Sequence, residues 1–201
     1  MEMSQVQEKL KLHFEKQCIT LLIEAYYSSI KVDNDFSKLN ENDFTETLDK
    51  YIDNNAKRLT WEINCVTERH LHTKNGIKHK GDADKERRID MKMSKFHSQK
   101  EFHFYIEAKR LREHDNALNK RYIRTGIDYY IQNIYPKGIL VGYLQEGDVD
   151  NTIQGINDIL NQSNRATESL FRKEHPIHNE YFESDHPNYG IIQHFVLNYT
   201  V

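Results

Sequence analysis

The sequence of 201 residues predicts an α/β fold, in which helices flank a central mixed β-sheet of about four or five strands. Apolar residues recur every three or four positions in some segments and every second position in others, which are the periods of helices and strands. These segments follow one another in the order helix, helix, three strands, helix, strand, helix, strand. The sequence contains neither a repeat nor an evident linker. We therefore expect one domain over residues 1–201, with residues 1–58 as a helical part packed on the sheet.

Four segments have the helical period. The first spans residues 4–30, the second about 41–58, and the third, about 116–134, is closed by Pro136. The fourth is the stretch DVDNTIQGINDILNQ, in which Asp150 is the expected N-cap. Apolar residues line one side of each segment, so we expect that side to pack on the sheet.

Five segments have the strand pattern. They are residues 59–66, 87–93, 102–111, 137–144 and 191–201. The stretch ERHLHTKNGIKHKGDADKE is expected to be a polar loop or hairpin, and RKEHPIHNEYFESDHPNYG an exposed loop. These assignments give the expected number of strands.

The composition is that of a folded, slightly acidic protein. The net charge is −3 and the pI is near 6.4, so a globally basic nucleic-acid-binding protein is not indicated, although net charge does not report on a local cleft. Twelve tyrosines and nine phenylalanines argue against disorder. Two cysteines are too few for a disulfide framework. Without a secretory signal pattern or an apolar run of about 18 residues, a cytoplasmic protein with no membrane partner is expected.

Two charged residues stand in the otherwise apolar segment FHFYIEAKRL, residues 102–111. Successive side chains of a strand point to opposite faces, so Ile106 and Ala108 should face a core. Glu107 and Lys109 should then share the other face, near the end of the strand.

A third charged residue should join them from the preceding strand. Asp90 lies between Ile89 and Met91, which alternate with it, so Asp90 should point away from their face. A hairpin that joins residues 87–93 to the next strand would bring Asp90 close to Glu107. Two neighbouring carboxylates repel unless a cation lies between them, and oxygen ligands suit Mg²⁺ or Mn²⁺. A lysine beside them can hold a water or stabilise charge on phosphorus.

Asp90, followed by Glu107-Ala108-Lys109 at the end of an apolar strand, resembles the motif of the PD-(D/E)xK nuclease superfamily. The resemblance covers roughly residues 60–145 and implies a restriction-endonuclease-like fold and Mg²⁺-dependent cleavage of DNA. Carried over by position, Asp90 and Glu107 are the metal ligands and Lys109 is the catalytic lysine. Ile89 stands where the named motif has proline. Glu107-x-Lys109 is the only Glu-x-Lys in the sequence.

Some assignments of the acids remain open. The superfamily often supplies a further acid from an earlier helix, for which Glu24, Glu62 and Glu68 are candidates. Asp90-Met91-Lys92 is a competing Asp-x-Lys, which would take its first acid from Asp82, Asp84 or Glu68.

Basic residues follow the motif. Arg121 and Arg124 are three positions apart on the predicted helix, and Arg110 adjoins the motif itself. These three arginines are candidate contacts to nucleic-acid phosphates, and a solvated helix face is the alternative for the first two.

Histidines form two groups in the polar stretches. One group consists of His70, His72 and His79, and the other of His175, His178 and His186. No zinc-ligand spacing accompanies either group, so we expect both to lie in solvated loops. His194, within the last strand, is expected to be a structural residue with its hydrogen bonds satisfied.

The leading hypothesis is a Mg²⁺-dependent DNA endonuclease of restriction or another anti-phage defence. RNA is not excluded as a substrate, and a homodimer or a subunit of a larger defence complex is the expected assembly. The alternative is a nuclease fold without cleavage that serves as a binding subunit. Metal binding through Asp90 and Glu107 would separate the two.

Overall fold

The computed structural model of the chain, which describes residues 5–32, 35–71 and 88–200, contains one mixed sheet of seven strands in that part of the chain. The strands are β1 (Asn64–His70), β2 (Arg88–His97), β3 (Lys100–Leu111), β4 (Ile139–Leu144), β5 (Phe171–Arg172), β6 (Tyr181–His186) and β7 (Gly190–Asn198). Their order across the sheet is β1-β2-β3-β4-β7-β6-β5. The central strands β3, β4 and β7 are parallel, and every other neighbouring pair is antiparallel.

The helices lie before β1, between β3 and β4, and between β4 and β5. They are α1 (Gln5–Ser29), α2 (Glu41–Asp53), α3 (Ala56–Thr60), α4 (Asn116–Arg121), α5 (Asp128–Ile131) and α6 (Val149–Gln162). A π-helical segment, Tyr122–Ile127, joins α4 to α5. Single 3₁₀ turns occur at Phe36–Lys38 and Ala166–Glu168. No helix in the described part of the chain is both long and apolar enough to cross a membrane.

One hydrophobic core lies between the N-terminal helices and one face of the sheet. It contains, among others, Phe14, Cys18, Leu22, Phe44, Leu48, Ile52, Met91, Met93, Phe104, Ile106, Ala108, Val141 and Phe195. The stacked rings of Phe14 and Phe102 join α1 to β3, and those of Phe44 and Tyr143 join α2 to β4. Burial of each such side chain stabilises the fold by roughly 1.5–3 kcal/mol, so this layer holds the N-terminal helices on the sheet.

A second core covers the other face of the central strands. Its members include Leu111, Tyr122, Ile127, Tyr130, Leu140, Leu144, Ile153, Ile156, Phe182, Ile192 and Val196. The alternation predicted for β3 is confirmed, since Ile106 and Ala108 belong to the first core. Glu107 lies on the opposite face of β3, which the second core covers.

The sheet has more strands than the four or five predicted. The stretch expected to be one exposed loop, 172–190, contains all of β6 and the second residue of β5. Tyr181 and Phe182 are buried on opposite faces of β6, one in each core. The sequence did not predict this strand because the residues around them are polar. Ser184 and His186 are buried through hydrogen bonds and not through apolar contacts.

Three predicted boundaries were also wrong. The helix expected over 41–58 is two helices, because Asn55 caps a new helix by accepting a hydrogen bond from the backbone of Lys57. The strand expected over 59–66 begins at Asn64, after α3. The cap of α6 is Asp148, which accepts from the backbone N–H of Asn151, and not Asp150.

Candidate active site

The pairing of β2 with β3 stops short of the charged end of β3. The last paired residues are Met91 and Ile106. Beyond them, the backbone N–H of Ala108 donates to Oδ2 of Asp90 at 2.7 Å, and the backbone N–H of Arg110 donates to Oε2 of Glu41 at 3.2 Å. Buried backbone N–H groups require acceptors. The carboxylates of Asp90 and Glu41 supply them here, where β2 no longer pairs with β3.

The ammonium of Lys109 is the common partner of three carboxylates. It donates hydrogen bonds to Oε1 of Glu107 and, at 3.3 Å, to Oε1 of Glu41. Oδ2 of Asp90 lies 3.8 Å from the same nitrogen. The lysine is only 4 % exposed. The hairpin therefore brings Asp90, Glu107 and Lys109 together, as the sequence predicted, and a fourth charged residue, Glu41, joins them.

Glu107 is held from the opposite side by a tyrosine. The hydroxyl of Tyr135 donates to Oε1 of Glu107 at 2.9 Å, and both side chains are buried. The other carboxylate oxygen, Oε2, is buried without a hydrogen-bond partner among the described residues. A buried acceptor without a partner costs free energy, so this oxygen is suited to a proton or a cation.

Burial and charge change the pKa of Glu107, Asp90 and Lys109. It raises the pKa of Glu107 from 4.5 to about 8, although the Lys109 ammonium opposes the change. Burial also raises the pKa of Asp90. For Lys109, burial acts to lower the pKa, but the charges of the surrounding carboxylates outweigh it and the pKa is raised. The lysine therefore remains protonated at neutral pH, whereas the pKa of Glu107 lies near neutral pH.

Asp90 is not placed by simple strand alternation. Ile89 packs in the second core and Met91 in the first, although residues two apart on a regular strand share a face. The expected common face for Ile89 and Met91 was therefore wrong. The change of face occurs around Asp90, beyond the last pair of β2 with β3, and the Asp90 carboxylate accepts from the backbone of Ala108 there.

Glu41 is the member of this charged cluster that the sequence analysis missed. It is the first residue of α2, and Asn40 caps that helix by accepting from the backbone of Asn42 and Asp43. The capping pattern marks the helix start, but nothing in it shows that the helix points toward the end of β3. Of the acids proposed for this role, Glu24 binds Asn55 and Lys57, while Glu68 pairs with Arg88.

Among the described residues, the remaining alternatives do not assemble a second site. Glu62 is exposed in the turn before β1. Lys92 of the competing Asp-x-Lys pairs across the sheet with Val66 and Tyr105 and has no ion pair with Asp90. Its other acids, Asp82 and Asp84, lie outside the described residues.

The three arginines differ in their contacts. Arg121 donates to Oε1 of Glu41 at 2.8 Å while remaining 45 % exposed in its side chain. Arg124, in the π-helical segment, is exposed, and its side chain has no hydrogen bond or ion pair within the described part of the chain. Arg110 is half-buried, and its backbone N–H, not its side chain, contacts Glu41. Arg121 and Arg124 are thus the two that remain accessible to a ligand.

The donor set suits a hard divalent cation, but it is not assembled around one. Within residues 5–32, 35–71 and 88–200, no three His, Cys, Asp or Glu side chains are grouped as a metal site. The carboxylates surround the Lys109 ammonium instead. Two observations nevertheless fit Mg²⁺ or Mn²⁺: the acidic donors are all oxygens, and Oε2 of Glu107 has no partner. Asp90 and Glu107 are the residues that would hold the ion.

Histidines form a buried hydrogen-bonded chain away from this cluster. The chain runs from Tyr122 to His194, Ser184, His186 and Glu168, with contacts of 2.9, 2.7, 2.6 and 2.6 Å. The structural role predicted for His194 is confirmed.

The solvated loop expected around the second histidine group is wrong for His178 and His186, both of which are buried. His178 contacts the backbone carbonyl of Val196 through Nε2, at 2.8 Å. His72 and His79, from the first group, lie outside the described residues.

Comparison with known proteins identifies no relative. No protein-family model matches the chain, and neither the search of curated proteins nor that of solved structures gave a match. The cluster of Glu41, Asp90, Glu107 and Lys109 therefore carries the functional argument through its own geometry.

Proposed function

We propose that the protein is a Mg²⁺- or Mn²⁺-dependent DNA endonuclease with a restriction-endonuclease-like fold, as the resemblance to the PD-(D/E)xK superfamily implies. One observation carries the proposal: Lys109 lies against Glu107, Asp90 and Glu41 where β2 separates from β3. Two acids that can hold a divalent cation, with a lysine that can stabilise phosphate charge beside them, suit metal-assisted phosphodiester hydrolysis.

Each residue has a distinct role in this proposal. The divalent cation, when bound by Asp90 and Glu107, would activate water and offset phosphate charge. Lys109, kept protonated by its carboxylate neighbours, would donate a hydrogen bond to the attacking water or to a phosphate oxygen. Glu41 restrains the lysine from the other side, and Tyr135 fixes one oxygen of Glu107.

Parallel measurements of metal affinity and cleavage test the proposal. Lys109→Ala should retain Mn²⁺ binding in calorimetry but cleave plasmid DNA on the order of 100-fold more slowly, because one preorganised electrostatic group is lost. Glu107→Gln should lose both properties. Lys50→Ala, which removes an exposed lysine of α2, is the matched control and should behave as wild type. Cleavage by Lys109→Ala at the wild-type rate would exclude the proposed role of the lysine.

A binding subunit of the same fold is the second candidate function. It is favoured by the burial of Lys109 and by the ion pair that ties Arg121 to Glu41. This candidate predicts that wild type binds nucleic acid but cuts none with Mg²⁺ or Mn²⁺.

The proposed setting follows from the family resemblance. A small nuclease of this type would act in the cytoplasm in restriction or anti-phage defence. It would act as a homodimer or in a larger defence complex, with DNA as the substrate and RNA as the alternative. Cleavage of matched DNA and RNA substrates, together with the mass of the protein in solution, would test these points.

A further inference from the structure

Tyr135 is held beside Glu107 by backbone and ring contacts. The backbone N–H groups of Ile134 and Tyr135 both donate to the carbonyl of Tyr129, at 2.8 and 3.1 Å. The Tyr135 ring packs edge-on against the rings of Tyr129 and Tyr130, with centroids 5.2 and 5.6 Å apart. The surrounding residues therefore direct the hydroxyl at Oε1 of Glu107, in addition to the hydrogen bond that joins the two groups.

Oε1 of Glu107 has no lone pair left for a cation. A carboxylate oxygen has two lone pairs, and those of Oε1 accept from the Tyr135 hydroxyl and from the Lys109 ammonium. Oε2 of the same carboxylate is buried and has no hydrogen-bond partner within the described residues. Glu107 can therefore offer one oxygen to a cation, and not two.

The other two carboxylates of the cluster are restricted as well. Asp90 accepts from the backbone N–H of Ala108 through Oδ2, so Oδ1 is the oxygen outside that contact. Both oxygens of Glu41 already accept hydrogen bonds, from two side chains and one backbone N–H. The cluster therefore presents two oxygens to a cation, one from Asp90 and one from Glu107.

This set of donors suits some divalent cations better than others. Mg²⁺ binds through one or two carboxylates in octahedral geometry and keeps several waters, and octahedral oxygen sites suit Mn²⁺ as well. Ca²⁺ takes about six to eight oxygens and commonly both oxygens of one carboxylate. Oε1 of Glu107 is the oxygen that such a bidentate contact would need, and Tyr135 occupies it together with Lys109.

We propose that Tyr135 determines the metal specificity of the candidate active site: by occupying Oε1 of Glu107 it makes the site select Mg²⁺ or Mn²⁺ against Ca²⁺. Tyr135 acts through Glu107 and is therefore a positioning residue. The inference rests on the metal binding in the proposed function, but it does not depend on cleavage.

Calorimetric titrations of the full chain with MnCl₂ and, separately, with CaCl₂ test this selection. Tyr135→Phe keeps the ring and removes the hydroxyl, so Oε1 of Glu107 regains a lone pair. Mn²⁺ binding should weaken roughly tenfold, the lower end of the losses that follow when a partner of a metal ligand is removed. Ca²⁺ binding should stay the same or become tighter, because Glu107 can then offer both oxygens. The ratio of the two dissociation constants should therefore shift roughly tenfold or more toward Ca²⁺.

Tyr122→Phe is the matched control. It also removes a buried hydroxyl from the second core, but that hydroxyl contacts Nδ1 of His194, at 2.9 Å, and not the charged cluster. This variant should have a lower melting temperature and an unchanged ratio of Mn²⁺ to Ca²⁺ affinity. A wild-type ratio for Tyr135→Phe, or an equal shift in both variants, would overturn the proposal and leave Tyr135 a structural residue. A preference of wild type for Ca²⁺ would overturn it too.

A cleavage assay separates failure of this inference from failure of the proposed function. If wild type prefers Mn²⁺ and Tyr135→Phe loses that preference, but wild type cuts no DNA, the role of Tyr135 stands and the nuclease assignment fails. If wild type cuts plasmid DNA with Mn²⁺ and the substitution leaves the ratio unchanged, the role of Tyr135 fails and the nuclease assignment stands. Absence of Mn²⁺ binding by wild type would overturn both.

Discussion

Oε1 of Glu41 lies 3.3 Å from Nζ of Lys109, although 68 residues separate them along the chain. This contact joins the start of α2 to the end of β3. The same carboxylate accepts from Arg121 and from the backbone of Arg110. Glu41 therefore positions the lysine, an arginine and the strand end together.

Substitution of Glu41 should affect catalysis more than metal binding. Glu41→Gln should slow plasmid cleavage on the order of tenfold, since Lys109 loses a charge-assisted partner worth roughly 1.5–3 kcal/mol. Mn²⁺ affinity, measured by calorimetry, should change little, because Asp90 and Glu107 remain. Glu8→Gln, on the exposed side of α1, is the control. A loss of Mn²⁺ affinity as large as that of Glu107→Gln would make Glu41 a ligand instead of a positioning residue.

Removal of the Lys109 charge should make stability depend on metal. In Lys109→Met, the buried carboxylates of Glu107, Asp90 and Glu41 lose their shared cation, which should lower the unfolding free energy by about 3–5 kcal/mol without metal. Mn²⁺ should restore much of it, so the melting temperature of the variant should rise more with Mn²⁺ than that of wild type. Lys50→Met should show neither effect. Equal Mn²⁺ shifts for variant and wild type would indicate that the carboxylates do not take a cation.

The buried histidine chain should make the protein sensitive to acid. Burial, with a smaller effect of the charge on His186, lowers the pKa of His194 from 6.5 to about 3. Because the unfolded chain takes up this proton first, stability is complete above pH 6.5. It falls as the pH drops toward 3, by about 1.4 kcal/mol per pH unit for one proton.

Urea unfolding between pH 7 and 4 measures this effect. His194→Gln should be less stable than wild type at pH 7, because Tyr122 and Ser184 lose a partner, but its stability should fall less steeply with acid. His114→Gln, whose side chain is 88 % exposed in wild type, should keep the wild-type slope. Parallel slopes for His194→Gln and wild type would assign the acid sensitivity to other groups.

The accessible arginines should contribute salt-dependent binding. Arg124→Ala should reduce the slope of log affinity against log salt by about 0.9 for DNA, the value for one phosphate contact. Arg121→Ala should reduce it less, because its guanidinium already pairs with Glu41. In anisotropy titrations at several salt concentrations, the double variant should reduce the slope by the sum of the two single reductions. Lys31→Ala, which removes an exposed lysine from the turn after α1, should leave the slope unchanged. An unchanged slope for Arg124→Ala would place Arg124 on a solvated face.

The sequence by itself determined the α/β class and the three residues at the centre of the site. Local periodicity was sufficient because β3 is apolar on one face, so Glu107 and Lys109 had to share the other. The hairpin between consecutive strands then brought Asp90 within reach, since such pairing follows directly from chain order.

Only the tertiary structure decided the rest of the site. Glu41 reaches Lys109 through the packing of α2 on the sheet, a long-range contact that no local pattern encodes. The strand β6 was hidden because Ser184 and His186 are buried by mutual hydrogen bonds, which depend on partners from distant segments. The contact of Asp90 with the backbone of Ala108 forms where the pairing of β2 with β3 has ended, and the periodicity of either strand does not show where that pairing ends.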